Sequence, residues 1–476
     1  MVERLVVVGG DAAGMAAASQ AKRRAGDALE VVALERGHHT SYSACGIPYW
    51  VAGDVPGVDA LLARTPEQHR RNGIDLRTRT EVTAVDLDRR EVEAHDLTAR
   101  RTYRLGFDHL VLGTGAVPVR PPVPGIDARG VFGLQTLDDG QAVIDWLADL
   151  EAGVDAGAAP TRRFQGVVVG AGYIGVEMAE ALVRHGLVVT VVDKAPEPMT
   201  TLDPDMGRLV HREMEGMGID VRTGTAVESF ETDAAGRVRR VALAGGERLP
   251  ADVVVLGLGV RPNTAVARGA GLPLGSSGGI RTDLRMAVPG YDGVWAAGDC
   301  VESIHRLSGQ RVVVALGTHA NKQGRVAGIN LGGGYATFPG VIGTAITKIC
   351  SLEVARTGLS EREADQAGYR FVTAVVDSTT KAGYFPGAAQ IRLKLIAEQR
   401  TGRLLGAQIV GREDAAKRID VLATAIWNEM DVDEVLSLDL SYAPPFSPVW
   451  DPVLIAARKA FDAVDAGARS PDDQPG

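Results

Sequence analysis

The sequence predicts an α/β fold, two Rossmann-like dinucleotide-binding domains followed by a C-terminal α+β domain. Three observations carry this. RLVVVGG at residues 4–10 reads as a buried strand entering a glycine turn, and AAGMAAASQAKRRAG follows it as a helix. FQGVVVGAGYIGVEMAEALVRHGLVVTVVDKA, at residues 164–195, repeats the order strand, glycine turn, helix, strand. From residue 336 the composition shifts, and strands such as IRLKLIA and LLGAQIVG precede the helical EDAAKRIDVLATAIWNEM.

The elements follow in order. LEVVALE is the second strand of the first unit, and EVTAVDLD, REVEAHD and HLVLGTGA are short strands bounded by turns. LEAGVDAGAAPTRR, residues 150–163, reads as a loop. DVVVLGLGVRPN closes the second unit, GVWAAGDC is a further strand, and VALGTHANKQGRVAGINLGG is a long helix. The expected division is 1–117 with 280–335, then 118–279, then 336–462, leaving 463–476 as a disordered tail.

The chain has 476 residues, 45% hydrophobic and 23% charged, with formal net charge -9. This is ordinary for a soluble globular protein, and the acidic balance gives no general attraction to nucleic acid or anionic membranes. The opening MVERLVVVGG enters a strand without a basic segment and apolar core, and no apolar run is long enough for a membrane helix. Three cysteines make no disulfide framework. A cytoplasmic protein is expected, with no metal site.

Gly170, Gly172 and Gly175 match G-x-G-x-x-G in full. The first glycine makes the tight turn, the second admits a pyrophosphate, and the third lets helix and strand pack closely. Ile174 lies inside the same turn, and Gly259 follows the closing strand. Asp193 ends the next strand and would accept from a ribose 2′-hydroxyl, favouring NADH, while Lys194 beside it tolerates the 2′-phosphate of NADPH. The first turn is looser: Gly9 and Gly14 are present, but Asp11 holds the middle place. A carboxylate there must point away from a pyrophosphate or meet it through water. Glu35, followed by Arg36, is the matching ribose acceptor. Two such units require two ligands, and a flavin with a nicotinamide cofactor is the natural pair.

LGTGAVPVRPPVPG and GVWAAGDC extend the pattern. With them the chain resembles the FAD/NAD(P)-dependent pyridine nucleotide-disulfide oxidoreductases over residues 2–460. The resemblance implies that Thr114–Gly115 closes the first FAD segment, that Asp299 after Gly298 meets the ribityl chain, and that Val82, His319 and Tyr442 contribute near the flavin. It also implies a homodimer built on the C-terminal domain.

One cysteine stands out. TSYSACGIPYW, residues 40–50, sets Cys45 after the strand that carries Glu35, where Gly46-Ile47-Pro48 can open a helix whose N-terminus lowers a thiol pKa. Cys300 and Cys350 read as packed thiols, Cys350 as a strand residue. The double-cysteine members of the family carry a second cysteine and a C-terminal histidine base. Here the last histidine is His319, and SLDLSYAPPFSPVWDPVL occupies the matching stretch. The chain therefore resembles the single-cysteine branch, which contains coenzyme A disulfide reductases, persulfide reductases, NADH oxidases and NADH peroxidases.

That resemblance implies FAD, NADH or NADPH and a small-thiol disulfide or persulfide as ligands, with Cys45 as redox centre. By the same resemblance Gln20, Arg23, Ser41 and Arg71 are the candidates to hold coenzyme A. Two positions depart from the branch. Ala44 stands where an Asn precedes the cysteine, and Trp450 lies near a basic position of the coenzyme A enzymes. Three alternatives stay open: a Cys45 sulfenic acid reducing oxygen or peroxide, direct FAD-to-quinone or metal reduction, and a flavin-bound sensor with negligible turnover.

Overall fold

In the computed structural model, residues 2–152 and 163–468 are described. Two five-stranded parallel sheets and one five-stranded antiparallel sheet organise them. In the first, Val294–Ala296, His109–Leu112, Glu3–Val8, Leu29–Leu34 and Ile74–Arg77 lie in that spatial order. In the second the order is Asp220–Arg222, Val188–Val192, Gln165–Val169, Val253–Leu256 and Val131–Gly133. Both central strands are valine runs covered on both faces, which is why they are continuous rather than alternating. The third sheet runs Ala345–Ile349, Leu352–Gly358, Leu404–Gly411, Gln390–Glu398 and Phe371–Thr379.

Glycine also sets the contact between the helices Ala12–Ala25 and Gly317–Leu331. A Cβ on Gly324 would stand 2.2 Å from the Ala13 carbonyl oxygen, and one on Gly328 2.5 Å from that of Ala17. Four residues apart, the two glycines form one bare stripe, so the alanine-rich first helix packs backbone to backbone.

Three expectations are corrected. Leu150–Ala152 end a helix that begins at Leu137, so the predicted loop does not start at 150; residues 153–162 of it lie outside the described residues. The final helix, Pro452–Ala468, overruns the boundary set at 463. Val453, Ala456, Ala457, Ala460 and Val464 all pack on the C-terminal core, and this spacing of three and four carries the helix onward. Residues 469–476 of the expected tail lie outside the described residues. Cys350 is in the hairpin turn between Ile349 and Leu352, at φ 50°, and not in a strand.

A buried ion cluster ties the second unit to the C-terminal sheet. The Lys394 ammonium, 4% exposed, lies 3.1 Å from Asp203, 2.8 Å from Asp205 and 2.8 Å from Glu361. Gln408 donates to Asp203 at 2.7 Å and accepts from its backbone N–H at 2.8 Å. Removing the cation strands the buried Asp203 carboxylate in a dry environment. Lys394→Ala is therefore expected to lower the unfolding free energy by about 3 kcal/mol, read from the urea midpoint.

Candidate active site

The two glycine turns are built alike. Gly9 and Gly170 adopt φ 107° and 100°, which side chains disfavour. A Cβ on Gly14 would lie 1.9 Å from the Gly9 carbonyl oxygen, and one on Gly175 1.9 Å from that of Gly170. Each helix thus meets its strand at a distance only glycine permits. Gly172 N-caps the second helix without a side chain, leaving its first N–H groups open to an anion. Glu35 accepts from Gly10 N–H at 2.6 Å and Gly37 N–H at 2.7 Å. Asp193 accepts from Ala171 N–H at 2.6 Å and Ala195 N–H at 2.7 Å. Two backbone bonds leave each carboxylate with lone pairs for a ribose hydroxyl. The two cradles, each with its acid, fit two dinucleotides.

Around the first turn the structure gathers Thr114, Gly298 and Asp299. A Cβ on Gly9 would meet Gly113 and the Thr114 backbone, and one on Gly298 would stand 2.8 Å from the Ala13 methyl. Gln323 accepts from Gly298 N–H at 2.8 Å. Burial pushes the Asp299 carboxyl up to about 6. The Thr114 hydroxyl donates to the Asn263 carbonyl at 2.6 Å, and Asn263 N–H donates to Gly115 at 2.9 Å, which sews the first unit to the second. Gly259, at φ 78°, accepts from Val119 N–H at 2.9 Å on the same crossover.

Other named positions lie at the edges. Val82 packs in the first core, and Ile174 is half-buried on the second. Arg36 is exposed and pairs with Glu81 at 3.7 Å. His319 is the third residue of its helix, set edge-on to Phe338; burial and then Lys322 push its imidazole down to about 4, so it is neutral near pH 7. Tyr442 is 47% exposed on the C-terminal domain, next to Tyr384.

Asp11, in the place of the middle glycine, reaches the loop that follows Thr40. Its Oδ1 accepts from Tyr42 N–H at 3.1 Å, so it holds the loop that leads to Cys45. Burial first, with Glu35 and Asp299 adding, pushes its carboxyl up to about 6. The loop has further ties. Ser41, at φ 48°, lies 3.0 Å from the buried His69 imidazole, and Ala63 N–H and Ser43 N–H bond to Ser41 and Leu61 carbonyls at 2.8 and 2.9 Å.

Cys45 sits in a single 3-10 turn, Ala44–Gly46, that runs into the helix Ile47–Val51. It is exposed, whereas Cys300 is fully buried with its thiol 3.5 Å from the Leu112 carbonyl. The expected lowering of its pKa by a helix terminus is overturned. The surrounding protein withdraws water from the thiol and pushes it up, and the Glu177 and Asp299 carboxylates add to that push. A two-turn helical segment has too small a dipole to outweigh them.

The coenzyme A candidates divide into two neighbouring groups. Arg23 donates to Gln20 at 2.7 Å on the first helix. Arg71 lines an open groove of about 490 Å³ with Ala63, Arg64, Gln68 and Asn72. Lys22, beside Arg23, reaches to Gly73, so the two helix ends adjoin.

Sequence reasoning missed Glu177, Tyr49 and Thr347. Glu177, on the second-turn helix, accepts from Thr347 at 2.5 Å and from Tyr49 at 3.4 Å, and burial pushes its carboxyl up to about 7. Its one sequence signal is an acid on the half-apolar face of a helix. Tyr384 was also missed; only its contact with Tyr442 reveals it.

Two outcomes follow from this geometry. Gly175→Ala is expected to weaken NADH binding about tenfold or more without reducing flavin content, measured by NADH titration. Asp11 favours its neutral form in the fold, so stability is lost as pH rises from the ordinary 3.8 through about 6. The stability advantage of Asp11→Asn over the natural chain is therefore expected to grow by about 1 kcal/mol between pH 5 and pH 8, measured by urea unfolding.

Residues 3–324 match the family described as pyridine nucleotide-disulphide oxidoreductase, and residues 344–452 match its dimerisation domain. An NAD(P)H sulfur oxidoreductase (CoA-dependent) of Pyrococcus abyssi is 36% identical over 456 residues, 95% of this chain and 97% of that protein. An NADH oxidase of Methanocaldococcus jannaschii is 34% identical over 96% of this chain and 98% of its own. The structure of a NAD-dependent persulfide reductase from A. fulgidus superposes with TM-score 0.91 at 39% identity, covering 97% of this chain and 84% of that one. With two matching cradles, a second domain of the same family and relatives along nearly its whole length, the chain belongs to the pyridine nucleotide-disulphide oxidoreductases.

Proposed function

We propose that this FAD-dependent NAD(P)H oxidoreductase reduces disulfides or persulfides of a small thiol through Cys45, with coenzyme A as the candidate thiol. The observation that carries this reading is an exposed cysteine on the loop that Asp11 of the first glycine turn holds through Tyr42 N–H. When bound, FAD accepts hydride from the nicotinamide and passes an electron pair onward.

The chain's own residues do the rest. The second glycine turn and Asp193 hold the nicotinamide nucleotide. The charge of Asp193 opposes a 2′-phosphate, which favours NADH. The Cys45 thiolate attacks the S–S bond of the small-thiol disulfide, forms a mixed disulfide with one half and releases the other half, which takes up a proton and leaves as a thiol. Two electrons break the mixed S–S bond; Cys45 keeps one pair as thiolate, and the other sulfur leaves as a thiol with one proton. Cys300 is sealed in the core and Cys350 lies in a C-terminal turn, so the substrate sulfur supplies the second half of the couple. Arg64 and Arg71 in the groove, with Gln20 and Arg23 nearby, suit the phosphates of a coenzyme A nucleotide, and the CoA-dependent Pyrococcus abyssi relative supports that choice.

The C-terminal domain exposes Tyr384, Tyr442, Phe446, Val449 and Trp450, an apolar face suited to a second copy in a homodimer. Among the described residues no helix is long and apolar enough to cross a membrane. Free thiols suit a reducing cytoplasm.

Cys45→Ser is expected to reduce disulfide and persulfide turnover to about 1% or less while flavin reduction by NADH continues, followed by stopped-flow absorbance. Full turnover in that variant overturns the reading. Mass spectrometry under non-reducing conditions is expected to find coenzyme A on Cys45. A second reading, a sulfenic acid at Cys45 with oxygen or peroxide as acceptor, is supported by the Methanocaldococcus jannaschii NADH oxidase. Oxygen consumption matching NADH oxidation would favour it.

A further inference from the structure

We propose that His69 is a positioning residue for the thiol substrate: its imidazole holds the Ser41 hydroxyl so that the hydroxyl donates its own hydrogen to an acceptor oxygen on the arm joining the thiol's nucleotide to its sulfur. The proposal rests on the reading in which coenzyme A places its nucleotide in the groove of Arg64 and Arg71 and its sulfur at Cys45.

Ser41 lies between those two places. Its carbonyl accepts from Ala63 N–H at 2.8 Å, and Ala63 is part of the groove wall. Cys45 is four residues further on, in the turn Ala44–Gly46. The backbone here is closely held. Ser41 adopts φ 48°, which side chains disfavour, and the bonds of Tyr42 N–H to Asp11 and Ser43 N–H to Leu61 fix the residues after it. These bonds leave the rotation of the Ser41 hydroxyl unset.

His69 sets it. It belongs to the helix Pro66–Arg71, which also carries Gln68 and Arg71 of the groove and is closed at its start by a capping box of Thr65 and Gln68. The imidazole is 1% exposed, and its Nε2 lies 3.0 Å from Ser41 Oγ. Burial first, with Arg64 adding, pushes its pKa down, so the ring carries one proton near pH 7. Nδ1 is buried without a partner. A buried N–H without an acceptor is the rarer arrangement in folded proteins, so the proton is assigned to Nε2 and donated to Ser41 Oγ.

That assignment leaves the Ser41 hydrogen open. Thr40 Oγ1 stands 3.5 Å from Ser41 Oγ, too long for a firm O–H···O bond, and gives its own hydrogen to the Gly10 carbonyl. A half-buried hydroxyl with one lone pair occupied by His69 and its hydrogen unused is a directed donor. The arginines of the groove suit the phosphates of the nucleotide, so the neutral hydroxyl on the way to Cys45 suits a neutral carbonyl of the arm.

The test is calorimetric titration of thiol-free holoenzyme with coenzyme A. His69→Phe fills the same space without a donor and is expected to weaken binding about fivefold to tenfold. His69→Gln, whose amide nitrogen takes the place of Nε2, is expected to keep the natural affinity within about twofold. Ser41→Ala is expected to lose as much as His69→Phe, and the double variant no more than either, because both act through one bond. Additive losses, or natural affinity in His69→Phe, overturn the proposal, as does a natural chain that binds no coenzyme A. Where His69→Phe does not retain FAD, His69→Asn, whose amide ends short of Ser41, takes its place in the cycle. Adenosine bisphosphate, the nucleotide without the arm, is expected to bind His69→Phe as well as it binds the natural chain; an equal loss with it overturns the contact to the arm. Affinity needs no turnover, so these results stand apart from turnover in Cys45→Ser, which judges the proposed function.

Discussion

The structure depends on a distance that only glycine allows. At both turns the helix begins so close to the strand it leaves that an added Cβ would stand 1.9 Å from a carbonyl oxygen. Close approach aims the first helical N–H groups at the end of the sheet, and at the second turn Gly172 leaves them free of a side chain. The neighbouring acids then have a fixed place. Glu35 and Asp193 each brace the turn through backbone N–H groups and still face outward. The same device recurs at Gly324 and Gly328, where two helices touch through bare backbone. That contact brings Gly298 and Asp299 against the first turn, with Gln323 accepting from Gly298. A site assembled from residues 9, 114 and 299 follows from three close approaches.

The cysteine loop inherits its position from the first turn. Asp11, in the place of the middle glycine, spends its side chain on Tyr42 N–H. A third glycine there would leave Tyr42 without that partner and the loop freer to move. Ser41 holds a left-handed conformation, and the buried His69 imidazole and the Leu61 and Ala63 bonds fix it there. The departure from the full glycine pattern therefore links the nucleotide cradle to the loop that carries Cys45.

What was legible in the sequence was local. A glycine turn, its following helix and the acid at the next strand end lie within one supersecondary unit, and their spacing carries their chemistry. Cys45 was legible through its immediate neighbours. Its electrostatics were not, because Glu177 arrives from another domain and Thr347 from a third. Cys350 was misread since a left-handed turn without Gly or Asn carries no turn signal and looks like a continuing strand. The final helix was cut short because Gly, Ala and Asp near 465 suggest a tail by composition, while apolar spacing back to Val453 keeps the helix packed. Lys394 and its three carboxylates are scattered over residues 203–394, so no window contains them.

The acids at the site act in one direction. Asp11, Asp299 and Glu177 are all held above the ordinary carboxylate range, with burial the leading cause for each. His319, the basic group nearest in the pattern, is driven neutral. A cluster of this kind resists accumulating negative charge, and each new anion raises the proton affinity of the others. A thiolate at Cys45 is such an anion. Crowding acids around the first turn therefore makes a thiolate at Cys45 costly in this fold.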